Sequence, residues 1–290
     1  MTGARIRAVA LALLLVSGSS TAAEKASVTW HPSKPRIGDV AWLHVKDAPE
    51  TAAVEGSVDG RPLTFFPYAG GHAALFGVDL DMKPGTHAWR VGVVEPGREP
   101  QSAQGSVQIT RRPFRVERLT LPPAMVDLDP ETERRAVGES KQLTTLYRTI
   151  TPERLWRGKF TTPVGTTAAG TGFGARRIIN GRPRLPHGGI DYAMPRGTPV
   201  VAANAGKVAL VAEFFFPGRL VVIDHGLGLY TLYFHLDTAS VAEGERVERG
   251  QTLGTVGATG RATGPHLHFG AQVGGARVDP ATLLGLSLLD

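Results

Sequence analysis

Through most of this chain, apolar and polar positions alternate with a period of two, in short runs broken by glycine and proline. That period puts successive side chains on opposite faces of a strand. Before residue 112 it predicts strands at 26–30, 40–45, 54–58, 63–68, 73–80, 87–94 and 106–110. The breaks fall at turn-forming stretches such as Asp59-Gly60, Gly70-Gly71, Lys83-Pro-Gly85 and Glu95-Pro-Gly97. Short strands with frequent turns predict an immunoglobulin-like β-sandwich over 24–112. Its histidines (His31, His44, His72 and His87) lack ligand spacing and read as surface or strand-face residues.

The pattern changes over 113–160. Val116-Glu-Arg-Leu-Thr-Leu-Pro-Pro123 reads as extended. Asp129-Pro130-Glu131 then supplies an N-cap, a proline at the first helical position and an acid in the first turn. A helix is predicted to about Tyr147, and a second short helical turn over 152–156. This segment reads as a connector between two β domains.

From residue 161 the period returns to two, with strands predicted at 199–203, 206–214, 220–225, 229–236, 252–256, 266–273 and 277–278. In Leu229-Tyr-Thr-Leu-Tyr-Phe-His-Leu236 the even positions Tyr230, Leu232, Phe234 and Leu236 form an apolar face. Thr231, Tyr233 and His235 fall on the other face, where a polar site would be built. The fold class is therefore mainly β, with a sandwich, a helical connector and a second antiparallel β domain over 161–290.

Composition adds constraints. The chain has 290 residues, 42% hydrophobic and 20% charged, with 36 glycines and 21 prolines, which fits a globular β protein. Its net charge of +6 is mild and no dense Lys/Arg tract marks a nucleic-acid-binding face. At the N-terminus, Arg5 and Arg7 precede the apolar run 8–16 and the small residues Thr21-Ala-Ala23. This is the layout of a secretory signal peptide over 1–23, cleaved after Ala22 or Ala23, and it predicts a periplasmic or secreted protein. The segment holds two basic and no acidic residues, so the mature charge is +6 − 2 = +4. The run is shorter than the roughly 20 residues that span a bilayer, and no later segment reads as transmembrane. With no cysteine, any metal site must use His, Asp or Glu.

Three stretches supply such ligands. His187-Gly-Gly-Ile-Asp191 has an H-x-x-x-D spacing, and its paired glycines favour a tight loop over a helix. His235 is the second. The third is Thr263-Gly-Pro-His-Leu-His-Phe-Gly270, where strand alternation points His266 and His268 the same way while Leu267 and Phe269 enter a core. A catalytic zinc keeps three protein ligands and one position for water. Residue spacing alone leaves open which of the three later histidines completes the set.

The stretches Pro186-His-Gly-Gly-Ile-Asp-Tyr-Ala-Met-Pro-Arg-Gly-Thr-Pro-Val200, Val222-Ile-Asp-His-Gly-Leu-Gly-Leu-Tyr-Thr-Leu-Tyr-Phe-His-Leu236 and Gly260-Arg-Ala-Thr-Gly-Pro-His-Leu-His-Phe-Gly270 resemble the lysostaphin/LytM-type zinc metallopeptidases, over about residues 160–284. The resemblance implies an antiparallel β fold of the duplicated hybrid motif type. It also implies one zinc ion, held by His187, Asp191 and His268, with His235 and His266 as the catalytic histidines. A zinc so held gives its bound water a pKa of about 7 and polarises the scissile carbonyl. His235 and His266 would position or deprotonate that water and stabilise the oxyanion, with the choice of base left open. The implied activity is hydrolysis of peptide bonds in bacterial peptidoglycan, with D,D cross-links as the first expectation, in cell-wall remodelling. The N-terminal domain would bind wall, cover the groove or receive a regulatory protein partner.

Several further residues draw attention. His225, in Asp224-His-Gly-Leu-Gly228, reads as a structural residue at a hairpin turn. Tyr233 is a candidate for touching substrate or for packing. Arg177 and Asn180 lie upstream of the first ligand. Some family members carry an asparagine in that region that blocks the metal, whereas Asn180-Gly181 by itself predicts a turn. The alternative function is a non-catalytic relative that binds wall or activates another hydrolase; such relatives usually lack some ligands, and all five positions are present here. A carrier-domain reading of 241–256 fails for want of the lysine that would carry a cofactor, since Lys207 lies outside the usual motif.

Overall fold

A computed structural model describes residues 26–166, 169–286 and 288. The expected signal peptide lies outside them.

The N-terminal region forms two four-stranded antiparallel sheets. One runs Ser27–His31, Val40–Lys46, Gly71–Gly77, Phe65–Tyr68, and the other Arg61–Pro62, Ala53–Val58, Gly85–Val94, Gln101–Ile109. Lettered in chain order with the short fourth strand as C′, the sheets read A-B-E-D and C′-C-F-G, the order of immunoglobulin-type sandwiches. Between them lie Leu43, Val45, Ala74, Val91, Val93 and Ala103.

The two central strands of the first sheet are buried on both faces. Val40–Lys46 is buried at every position but the last, and Gly71–Gly77 throughout. Leu43 and Val45 face the second sheet, while Val40, Trp42, Ala73 and Leu75 face the other way, into a core shared with Trp156, Phe160, Phe269 and Val273. This explains the near-continuous apolar sequences of both strands, since a strand covered on two sides has no solvent face to keep polar. It also buries His44 and His72, whose pKa values fall chiefly through desolvation. Polar ties reinforce the junction. The Arg112 guanidinium lies 2.6 Å from Asp279, and Arg277 pairs with Asp79 and Asp81 at 2.9 and 2.6 Å.

In the connector, Asp129 Oδ1 accepts from the N–H groups of Glu131 and Thr132, capping a helix over Pro130–Leu146. Leu143 and Leu146 pack against Tyr147, Leu210, Leu220 and Tyr230. The helical turn expected over 152–156 does not form. That stretch is extended because its backbone pairs with the 225–227 loop: Leu155 N–H donates to His225 O at 2.8 Å, and Leu227 N–H to Thr151 O at 2.6 Å. Trp156 is thereby placed 1% exposed in the shared core. The connector also supplies Val116–Leu119, which pairs in parallel with Arg176–Ile179 to make a small ribbon completed by Arg182–Pro183.

The third region is a nine-stranded antiparallel sheet whose main path runs Gly189–Tyr192, Leu267–Val273, Leu229–Ala239, Gly218–Asp224, Gly206–Phe214, Arg246–Val247. Among the described residues no helix is long and apolar enough to cross a membrane.

Candidate metal centre

The site is built where Gly189–Tyr192 pairs with Leu267–Val273. Register sets Asp191 directly opposite His268, so both side chains emerge on one face. Leu267 and Phe269, on the other face, are fully buried and hold the strand down. His187 sits in the loop just before the first strand, pinned by Gly174 N–H to His187 O at 2.8 Å and His187 N–H to Ala175 O at 3.0 Å. A glycine makes the crossing possible: a Cβ on Gly189 would lie 2.4 Å from Phe269 O and 2.7 Å from His268 Nε2.

Three ligand-type atoms meet at one point. His187 Nε2 lies 2.9 Å from His268 Nδ1, His268 Nδ1 2.9 Å from Asp191 Oδ1, and His187 Nε2 3.1 Å from Asp191 Oδ1. Two imidazole lone pairs and an anionic oxygen repel one another at these distances, and one shared proton satisfies only one pair. A cation satisfies all three. In a tetrahedral zinc site with bonds near 2.0 Å, neighbouring ligand atoms lie about 3.3 Å apart, close to the triangle observed. The residues present therefore fit a metal ion, and the same three form a group that could hold one. Burial opposes ionisation of Asp191, but its hydrogen-bond contacts with the His187 and His268 rings hold its carboxyl well below the usual range. Burial pushes His268 down to about 4, against the pull of Asp191, keeping the imidazole neutral as a ligand must be.

His235 reaches the site by a route that strand alternation does not describe. Phe234 pairs with His268 and stacks on its ring (5.3 Å, 16°), and Tyr233 pairs with Phe269 in the core. The expected faces are thus reversed: Leu232 and Phe234 lie on the site side, Thr231 and Tyr233 inside. Tyr233 is fully buried, its hydroxyl accepting from Ala203 N–H at 2.8 Å, so it packs and touches no groove. His235 would follow it inward, but its φ of +62° lies in the left-handed region, and the pairing register shifts around it. The bulge swings the imidazole back, to 4.7 Å from the His266 ring and 6.1 Å from the His268 ring. Such strain persists where surrounding contacts over-determine it; His235 N–H donates to Pro217 O at 2.8 Å.

The two remaining histidines are oriented alike. His235 Nδ1 contacts Thr259 O at 2.8 Å and His266 Nδ1 contacts Gly264 O at 2.9 Å. A carbonyl only accepts, so each Nδ1 carries the proton and each Nε2 is a bare acceptor. His266 Nε2 lies 4.0 Å from Asp191 Oδ1. Burial is the main cause that pushes His235 down to about 3. Beside the centre runs a groove of about 770 Å³, floored by Leu232, Phe234, His268 and Gly270. Residues Ser140, Leu143 and Thr144 of the connector helix also line it, as do Asp79, Asp81 and Met82.

The upstream residues separate. Asn180 adopts φ +49° in its turn, and its amide pairs with both Leu121 N–H and Leu121 O at 3.0 Å, away from the ligands. Arg177 does reach the centre, with Nη2 3.6 Å from Asp191 Oδ2. No spacing rule could reveal this, because ribbon pairing with the connector sets its position. His225 is fully buried, its Nδ1 2.7 Å from Ala205 O and Nε2 2.7 Å from Thr231 Oγ1.

Peptidase family M23 matches residues 185–280. A crystal structure from Pseudomonas aeruginosa described as a peptidase of the M23 type superposes with a TM-score of 0.61 at 31% identity, covering 83% of this chain and 96% of that one. Peptidoglycan DD-endopeptidase ShyB of Vibrio cholerae is 43% identical over 111 residues, 38% of this chain and 26% of ShyB. DD-carboxypeptidase/endopeptidase Mpg of Neisseria meningitidis is 46% identical over 97 residues, 33% of this chain and 22% of Mpg. The chain thus spans about a quarter of the length of these curated relatives.

Proposed function

This chain belongs to peptidase family M23, and from that premise we propose that it is an exported zinc metalloendopeptidase that hydrolyses peptide bonds of bacterial peptidoglycan during cell-wall remodelling. The observation that carries the reading is the meeting of His187 Nε2, Asp191 Oδ1 and His268 Nδ1 within 3.1 Å of one another. We assign these three as ligands of one zinc ion. Its contribution when bound is Lewis acidity toward the scissile carbonyl and a water of lowered pKa.

The chain's own residues do the rest. His235 and His266 present bare Nε2 atoms, and either can take a proton from the attacking water. The imidazolium so formed donates a hydrogen bond to the developing oxyanion and then returns its proton to the leaving amine. The Thr259 and Gly264 carbonyls hold the two rings in the tautomer this requires. Phe234, stacked on His268, restrains a ligand ring and keeps water from one side of it. The groove, lined by the connector helix and the Asp79–Met82 segment, accepts an extended peptide. D,D cross-links are the bond class we assign first, which the activities that ShyB and Mpg are named for support. The layout of residues 1–23 supports a periplasmic or secreted location. A regulatory protein partner would find the second sheet of the N-terminal region more open than the first, whose central strands are covered on both faces.

The test is digestion of purified peptidoglycan with and without chelator. Chelator-sensitive release of peptides is expected, restored by zinc. Absence of release from metal-loaded protein would favour a wall-binding role instead.

A further inference from the structure

The left-handed backbone at His235 has its cause outside its own strand. Between the register pairs Arg219–Leu236 and Val221–Tyr233, the strand Gly218–Asp224 has Leu220 alone, whereas Leu229–Ala239 has both Phe234 and His235. His235 is thus the extra residue of a bulge. At φ +62° it holds a conformation that a non-glycine residue keeps only under constraint. The constraint sits at the next rung of the ladder. Arg219 N–H donates to Thr259 Oγ1 at 2.9 Å, and Thr259 Oγ1 donates to Leu236 O at 2.9 Å. One side-chain hydroxyl therefore relays a hydrogen bond from the N–H of one register partner to the carbonyl of the other. The carbonyl of the same threonine accepts from His235 Nδ1 at 2.8 Å. Both polar ends of Thr259 are engaged at the bulge.

The threonine is itself fastened in place. Arg261 N–H donates to Phe216 O at 3.0 Å, which ties the segment 259–261 across the hairpin tip that also offers Pro217 O to the His235 N–H. The crossing is close at Gly218, where a Cβ would run into both Thr259 Oγ1 and Thr259 O. Further along, the same loop ends at His266, whose N–H donates to Gly257 O at 3.2 Å. One loop therefore governs the rings of both His235 and His266, which face each other at 4.7 Å. Without the hydroxyl, Arg219 N–H and Leu236 O lose their common partner, and direct pairing across the gap becomes the way to satisfy them. Closing that rung removes the room for an extra residue. His235 then returns to the extended conformation, and strand alternation carries its ring inward with Tyr233.

We infer that the Thr259 hydroxyl is a wedge that keeps the bulge open, and that Thr259 is the positioning residue for His235 at the metal centre. The consequence for catalysis rests on the peptidase reading above, whereas the placement of the ring does not.

The experiment compares T259V, which removes the hydroxyl at similar size, with T259S, which keeps it. Both are measured as the zinc-loaded full chain on a cross-linked stem-peptide dimer. In T259V kcat should fall about a hundredfold with KM changed by less than about threefold, and T259S should recover kcat to within about fivefold. Heteronuclear NMR of the histidine side chains gives a readout independent of turnover, with the His235 ring assigned by its loss in His235→Ala. The unsubstituted protein and T259S should carry the His235 proton on Nδ1 in a protected hydrogen bond, and T259V should lose that signal. Retention of the signal in T259V overturns the wedge, as does an equal loss of kcat in T259S. A proton on Nε2 in the unsubstituted protein overturns it whether or not either variant folds. If no protein cleaves the dimer but the signal still depends on the hydroxyl, the peptidase reading falls and the wedge stands. If the signal is lost in T259V while kcat is kept, the wedge stands and His235 leaves the mechanism.

Discussion

Asp191 and His268 are register partners on adjacent antiparallel strands, and their Oδ1 and Nδ1 atoms lie 2.9 Å apart. Because the sheet ladder itself sets this distance, neither side chain can leave without the other losing its partner. Asp191→Ala and His268→Ala should each lower zinc affinity by more than about a hundredfold and abolish activity. Metal analysis of the purified variants decides this, and a full zinc complement in Asp191→Ala would sink the assignment.

His235→Ala and His266→Ala should separate binding from chemistry. Neither residue belongs to the converging triangle, so zinc content should stay near one per chain while kcat falls about 10²–10⁴-fold. Loss of zinc in parallel with activity would show that one of them is a ligand.

How far the sequence could be read is visible in these two histidines. The H-x-H strand follows the period of two closely: Leu267 and Phe269 are buried while His266 and His268 lie on one face, so alternation was sufficient. For His235 the same rule predicted a polar face shared with Thr231 and Tyr233, and the structure puts those two residues inside. A left-handed residue in mid-strand breaks the period, and an isolated histidine carries no signal for it. Arg177 was legible as a residue near the first motif but not as a neighbour of Asp191, because that contact depends on pairing between segments about 60 residues apart. The extended 152–156 segment is illegible for a similar reason: its backbone partners lie in a loop some 70 residues later.

Adjacent glycines offer a sharp comparison. A Cβ on Gly189 would lie 2.4 Å from a backbone oxygen and 2.7 Å from His268 Nε2, whereas on Gly188 the nearest atom would be 4.0 Å away. Gly189→Ala should destabilise the fold by about 1–3 kcal/mol and weaken zinc binding; Gly188→Ala should stay within about 0.5 kcal/mol. Denaturant melts and metal titrations of the pair test this, and equal behaviour would contradict the close crossing.

His225 gives a pH prediction for stability. Burial pushes its pKa down to about 4, against 6.5 for the free side chain, so the folded protein holds it neutral while the unfolded chain charges first. Its contribution is fully present above about pH 6.5 and is lost as pH falls from 6.5 toward 4, at up to about 1.4 kcal/mol per pH unit. Urea midpoints between pH 7 and pH 5 should fall less steeply in His225→Gln than in the unsubstituted protein. Identical slopes would mean that His225 takes up a proton without loss of structure.

The strand Val40–Lys46, with apolar partners on both sides, couples the two halves of the molecule in how they melt and how they can be cut. Calorimetry should see one cooperative transition, since separating the halves strips Trp42 and Leu75 from Trp156 and Val273 in a single event. A fragment beginning at residue 161 would therefore lack Trp156 and expose the sheet surface that the upstream strands cover. Trimming the chain to that point, a common first step toward a smaller enzyme, would yield a sticky and poorly soluble piece. Engineering of this protein is better directed at the exposed second sheet than at the junction.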